Sequence, residues 1–213
     1  MEHNEFDPAQ AEDNTLNINR YPSEKKTDFR LDILSYLHDV VHTLAGVLLL
    51  FLLLFRIVVV NGPSMRDTLV HGDYVILINN IFYQEKKPGD IVVISKDSYK
   101  EGEPIIKRII ATEGQQVDID FANGVVYVDG SALDEPYIRT ETNLYEGVSF
   151  PLTVAEGCYF VMGDNRNDSK DSRSTEIGMI DNREILGKAV FLLLPGENPE
   201  TEEHEFDRIG VLS

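Results

Sequence analysis

Three stretches of the 213-residue chain carry residue types that could do chemistry. The first is Asn61-Gly62-Pro63-Ser64-Met65-Arg66-Asp67-Thr68-Leu69. Gly and Pro force a turn here, and a serine in such a turn is ordinarily only a turn residue. Its hydroxyl becomes a useful nucleophile only beside a base. The pattern is not G-x-S-x-G, because Arg66 stands where the last glycine belongs, so the nucleophile elbow of an α/β-hydrolase is excluded.

The second stretch supplies a base of an unusual kind. In Ile105-Ile106-Lys107-Arg108-Ile109-Ile110, strand alternation puts Lys107 on the face of Ile105 and Ile109, and Arg108 on the face of Ile106 and Ile110. One of the two charges must therefore point where isoleucines point. A lysine in a strand is ordinarily at a sheet edge or snorkelling to water. Buried among apolar groups, though, its ammonium is disfavoured and its pKa falls, which gives a neutral amine able to accept a proton near pH 7. Arginine could not do this, since it stays charged.

The third stretch is the polar loop Gly163-Asp164-Asn165-Arg166-Asn167-Asp168-Ser169-Lys170-Asp171-Ser172-Arg173, placed directly after the apolar run Tyr159–Met162. Most polar loops are only solvated, but alternating charges and amides behind a strand suit a hydrogen-bonded scaffold beside a site. A calcium loop of the EF-hand type fails, because the required Gly and Glu positions hold Ser169 and Thr175.

The elements that must position these residues read as strands. Short β-rich runs separated by turn residues cover 73–78, 90–94, 104–111, 117–121, 125–128, 158–162 and 188–194. Asn123-Gly124 predicts a type I′ hairpin. No helical pattern of useful length and no internal repeat occurs after residue 61. The expectation is a mostly β fold, with folded antiparallel sheets or a barrel-like body, carrying one N-terminal transmembrane helix.

That helix is expected over residues 36–60. From Val40 to Val60 the strongly polar members are His42, Thr43 and Arg56, and at about 1.5 Å per residue the stretch covers roughly 31 Å, the thickness of a bilayer core. Arg56 is close enough to the end to snorkel. A cleavable signal peptide fits less well, because the preceding stretch is long and acidic rather than short and basic. Lys25, Lys26 and Arg30 precede the span within twenty residues and only Arg66 follows it, so the bias favours a cytoplasmic N-terminus and an external domain.

Composition sets the outer limits. The net charge of −18 argues against nucleic acid as a partner. Residues 1–35 carry 8 acids and 4 bases, and 197–213 carry 6 acids and 1 base. Both ends are expected to be acidic tails, the first disordered, around a domain spanning 61–196. The single Cys158 excludes a disulfide framework, and His3, His38, His42, His71 and His204 show no metal-binding spacing, so neither a cofactor nor a metal is expected.

Together and in this order, these stretches resemble the type I signal peptidases, membrane-anchored Ser/Lys endopeptidases. The resemblance covers about residues 40–194. It rests on the span followed by G-P-S-M-x-x-T-L, on Lys87-Pro88-Gly89-Asp90, on I-K-R-I-I-A-T-E-G at 106–114, and above all on G-D-N-R-N-D-S-K-D-S-R at 163–173. It implies Ser64 as nucleophile, Lys107 as general base, Ser169 as the hydroxyl that orients the amine, and an Asp171–Arg173 ion pair shaping the site. It also offers Met65, Leu69 and Ile106 as walls of the substrate pockets. Asp67, Ala111 and Gln115 depart from the family's usual Pro, Gly and Asp. Gly62 stands where some members carry a hydroxyl that helps bind the oxyanion, so backbone N–H groups, Ser64's own first, are expected to bind it.

The implied activity is removal of signal peptides from exported preproteins after small-x-small sites, through an acyl-enzyme, at the outer face of the cell membrane. The implied partners are those preproteins and the lipid bilayer. Two rivals differ in class. A self-cleaving Ser/Lys repressor would carry a helix-turn-helix pattern and an Ala-Gly bond ahead of the serine, whereas the Ala-Gly present, Ala45-Gly46, lies inside the span. A non-catalytic membrane-anchored β-domain would tolerate loss of Ser64 or Lys107, and both are present.

Overall fold

A computed structural model describes residues 29–212. Helix α1 covers Phe29–Leu54. Asp32–Leu54 is long and apolar enough to cross a membrane, and none of its described side chains is buried. Thr43 donates its hydroxyl to Asp39 O at 2.8 Å, so the polar group it carries is already partnered within the helix. The expected helix over 36–60 is thus shifted toward the N-terminus at both ends. Residues 29–35 of the expected disordered tail are helical, and residues 1–28 of it lie outside the described residues.

Residues 55–59 are strand, not helix. They form β1 (Phe55–Val59), antiparallel to β2 (Tyr74–Asn79) with Phe55 opposite Ile78 and Val59 opposite Tyr74. An apolar run alone does not separate helix from strand. The β-branched series Ile57-Val58-Val59-Val60 decides it, because such side chains fit a pleated surface better than a helix turn. Ile57 and Val59 are exposed, while Val58 and Val60 face a core.

The body is mostly β and antiparallel throughout. Its remaining strands are β3 (Ile91–Ile94), β4 (Ile105–Thr112), β5 (Gln116–Asp120), β6 (Val125–Val128), β7 (Ser131–Ala132), β8 (Leu152–Thr153), β9 (Cys158–Met162), β10 (Ile180–Asp181), β11 (Ile185–Leu194) and β12 (Gly210–Val211). One sheet runs β1-β2-β11-β3-β4-β9-β10, with β12 also paired to β11. The second runs β7-β6-β5-β8. The larger sheet is covered on both faces, one by the core of Val60, Met65, Leu69, Val75 and Ile106, the other by Val92, Ile94, Ile109 and Val161. A third core lies around Val117, Val126, Phe160 and Met162.

The β5–β6 hairpin forms, but not through a type I′ turn at Asn123-Gly124. Asp120 pairs Val125, leaving a four-residue loop in which the Gly124 N–H reaches Asp120 O at 2.7 Å. Asp120 also caps this loop by accepting from the Ala122 and Asn123 N–H groups. The two-residue turn is instead Asp129-Gly130, both with positive φ (52° and 78°), between Val128 and Ser131.

The acidic end is part of the body as well. β12 pairs β11 through Val211–Phe191 and Gly210–Leu192, and Leu212 packs on the first core. Arg208 is bonded to the fully buried Asp73 at 2.7 Å. The expectation of a solvated tail over 197–213 fails because the carboxylate that fixes its single arginine lies 135 residues earlier in the chain.

Candidate active site

Strand β4 carries Lys107 into the body of the larger sheet, where it is 3% exposed. Its Nζ donates to Ser64 Oγ at 2.8 Å and to Ile106 O at 2.9 Å. Burial pulls its pKa down from the ordinary 10.5 to about 8, with Asp171 opposing the shift and Lys100 adding to it. The neighbouring charge takes the other face. Arg108, also buried, grips Asp164 with two bonds of 2.9 and 2.8 Å and lies over the Tyr137 ring at 4.0 Å. Both charges of the strand are therefore inside, one paired with a carboxylate and one with a hydroxyl.

Ser64 sits in the loop between β1 and β2. Gly62 takes φ of +97°, a conformation that favours glycine, and the chain then turns through Arg66 N–H to Pro63 O (3.0 Å) and Leu69 N–H to Met65 O (2.8 Å). Met65 and Leu69 are 1% and 0% exposed and anchor the loop in the first core. From the far side the 163–165 turn holds the same loop. The Asn165 N–H donates to Ser64 O at 3.0 Å and its side-chain amide to Pro63 O at 3.2 Å, while Thr68 donates its hydroxyl to Asp164 at 2.6 Å. Gly163 is needed for this approach, since a Cβ there would lie 2.4 Å from Ser64 O. Among the described residues the Ser64 N–H has no protein acceptor.

The polar loop folds around one carboxylate. Asp171, fully buried, accepts from Ser169 Oγ at 2.8 Å, from Gly163 N–H at 3.0 Å and from Arg173 through Nε and Nη2 at 2.8 Å each. Burial pushes its carboxyl up, but the Arg173 guanidinium, first among its hydrogen-bond partners, leaves it below the usual carboxylate range. Arg173 is as deeply buried and also donates to Arg166 O at 2.6 Å.

Ser64, Lys107 and Ser169 line one cleft of about 320 Å³, together with Ile106, Leu144 and Glu146. Of the three residues offered as pocket walls, Ile106 borders this cleft, whereas Met65 and Leu69 are placed in the core beneath it. Ser169 borders it too, but its hydroxyl is spent on Asp171 rather than on the lysine amine. No motif or spacing in the sequence marks Glu146, which also borders the cleft. Its side chain is 5% exposed, one oxygen faces Lys170 at 3.3 Å, the other has no partner, and burial raises its pKa. The Arg108–Asp164 pair was equally unforeseen, although a strand with adjacent Lys and Arg signals that each needs its own partner. Among the described residues no three His, Cys, Asp or Glu side chains gather into a metal-holding group.

The arrangement is a deprotonatable amine against a hydroxyl, in a cleft, with a free N–H beside the hydroxyl carbon. It can activate an oxygen nucleophile without histidine. Comparison with known proteins agrees in kind. A family model described as signal peptidase, peptidase S26, matches residues 33–194. The chain is 32% identical over 180 residues to signal peptidase I of Bacillus licheniformis, an alignment covering 81% of this chain and 94% of that protein. It is 37% identical over 144 residues to the probable signal peptidase I-1 of a Synechocystis strain, covering 64% of this chain and 69% of the other. A crystal structure of a signal peptidase I from Enterococcus faecalis aligns with 49% of this chain and 97% of that chain, at 28% identity and a TM-score of 0.41.

Proposed function

The chain belongs to the signal peptidase family, peptidase S26, and from that premise we propose that Ser64 and Lys107 are the nucleophile and general base with which it cuts signal peptides from exported preproteins. The observation that carries the assignment is the 2.8 Å contact between a buried lysine amine and a serine hydroxyl. Neutral Lys107 takes the Ser64 proton as Oγ attacks the scissile carbonyl. The Ser64 N–H donates to the oxyanion of the tetrahedral intermediate. The new ammonium gives its proton to the leaving amine, and water, activated by the same lysine, then releases the acyl-enzyme. Ser169, Asp171 and Arg173 act behind the dyad, Asp171 by fixing the Ser169 hydroxyl that borders the cleft and the Gly163 N–H of the turn behind Ser64.

Helix α1 is proposed as a single membrane span with the N-terminus in the cytoplasm, because Lys25, Lys26 and Arg30 cluster at and just before its start. The β body then lies on the external face, with Ser64 ten residues past the last helical residue, Leu54. A preprotein held in the bilayer by its apolar segment would present its small-x-small site to the cleft as an extended strand, with Ile106 among the walls that limit side-chain size. The test is cleavage of a preprotein by the wild type and Ser64→Ala in detergent. Cleavage is expected from the first and none from the second at equal thermal stability, and cleavage by Ser64→Ala removes the assignment.

A further inference from the structure

The Ser64 loop is held on one side by the 163–165 turn, within the residues that the family model matches. On its other side it is held by residues 195–212, which lie beyond that match. The base of the loop is closed by Val60 N–H to Asp73 O (2.9 Å) and Gly72 N–H to Val60 O (3.0 Å). Asp73 is 0% exposed, and its carboxylate collects bonds from both sides of this junction. Within the loop it accepts from Val70 N–H at 2.8 Å. From the C-terminal segment it accepts from Gly196 N–H at 2.7 Å and from both terminal nitrogens of Arg208 at 3.1 and 2.7 Å.

Arg208 also reaches the loop itself, donating to Thr68 O at 3.3 Å. Nearer Ser64, Glu200 binds Arg66 at 2.8 Å and Arg139 at 2.7 Å, and Arg139 in turn binds Asp67 at 2.6 Å. The segment is fixed at its own ends by the contact of Gly196 with the His71 and Gly72 backbone, where a Cβ would lie 2.3 Å from His71 O, and by Leu212 N–H to Val190 O at 3.0 Å. A fully buried carboxylate whose cation comes from so far along the chain ties loop geometry to the docking of that segment.

We propose that residues 195–212 form a strap that holds the Ser64 loop at the distance from Lys107 needed for proton transfer, with Arg208 and Glu200 as its positioning residues. The proposal rests on the Ser64–Lys107 reading. The 163–165 turn and the core hold one side of this loop, its other side is held by residues 195–212, and reactions at a positioned hydroxyl are steeply sensitive to shifts that a one-sided support would allow. The strap prevents those shifts without touching the substrate cleft.

The test is steady-state cleavage of a preprotein by the full chain in detergent, with the labelling of Ser64 by a small fluorophosphonate as a readout independent of preprotein binding. Arg208→Ala is expected to lower kcat about 100-fold, the scale of a 1 Å displacement, with KM within about twofold and labelling slowed in parallel. Arg208→Lys keeps the cation but not the forked contacts, and is expected to recover all but about tenfold of that loss. Should Arg208→Ala not fold, the exposed pair decides. Glu200→Arg is expected to lower kcat about fivefold at unchanged KM, and adding Arg66→Glu to it restores kcat to within about twofold. Wild-type kcat and labelling in a folded Arg208→Ala, or in Glu200→Arg, overturn the strap. A wild-type chain that neither cleaves nor labels overturns instead the Ser64 reading beneath it.

Discussion

Lys107 Nζ lies 2.8 Å from Ser64 Oγ, although 43 residues separate them and each sits on a different structural support. The lysine is fixed by strand β4, whose flanking isoleucines are buried on both faces of the sheet. The serine is fixed by a loop pinned between Asn165 and Asp73. The sheet interior disfavours the ammonium, while the Asp171 carboxylate partly restores it. The outcome is an amine poised to change state near physiological pH rather than one that is always charged.

Cleavage should therefore follow the ionisation of that amine. With its pKa lowered to about 8, the neutral base is the minor form below that pH. The activity kcat/KM is expected to rise about tenfold per pH unit from pH 6 toward 8 and to level off above it. Measurement of kcat/KM from pH 6 to 10 checks this, and a flat profile would mean that Lys107 is not the titrating base.

The same burial costs stability, and the sign follows from which state holds the proton. Between pH about 8 and 10.5 the unfolded chain keeps Lys107 protonated while the folded chain does not, so stability rises with pH across that window. Below about 8 the full penalty applies. Lys107→Met, close in volume and uncharged, is expected to be inactive yet more stable at pH 7 by up to about 3 kcal/mol. Thermal unfolding at pH 7 and at pH 10.5 checks this, because the gain should shrink at the higher pH.

How much of this was readable from sequence depends on whether the signal was local. Lys107 stood out because alternation placed a cation where isoleucines belong, and Ser64 because a Gly-Pro turn broke the strand pattern. The strands with β-branched runs were equally local. Residues 55–59 carry two opposed signals, since they continue the apolar stretch of the span while Ile57-Val58-Val59-Val60 is β-branched, and pairing with β2 shows that the second one wins. The partner of Arg108 was invisible because Asp164 is 56 residues away. For the same reason residues 197–213 read as a solvated tail, while Asp73 and Arg208 make 197–212 structural. Met65 and Leu69 carry the family pattern, but their hydrophobicity alone could not say whether they face the cleft or the core.

The buried Asp171–Arg173 pair should be unforgiving. Arg173→Met leaves a fully buried carboxylate with no cation, and with only the Ser169 hydroxyl and the backbone N–H groups of Gly163 and residue 173 as donors. Breaking one side of such a pair costs about 3–5 kcal/mol. Part of that loss should be relieved at low pH, where Asp171 can be neutralised by a proton. Denaturant unfolding of the variant at pH 7 and pH 4 is expected to show a smaller gap from wild type at the lower pH, and an equal gap would mean the ion pair is not what the substitution removed.

Gly163 offers the sharpest separation of geometry from chemistry. A Cβ added there would lie 2.2 Å from Ser169 Oγ and 2.4 Å from Ser64 O, both far inside contact distance. Neither neighbour is a flexible chain end, since one is backbone and the other is bonded to Asp171. Gly163→Ala must then push the Ser64 loop away from the turn, and with it Oγ from the amine. No reacting group is altered, yet kcat is expected to fall about 100-fold. A pH limb near 8 should persist, because the burial that lowers the Lys107 pKa comes first and strand β4 is left in place. Kinetics of Gly163→Ala across pH, beside those of Ser64→Ala, would show a low but pH-dependent rate in the first and none in the second. A rate within threefold of wild type, roughly 0.6 kcal/mol in barrier, would mean that the loop can yield without moving the hydroxyl.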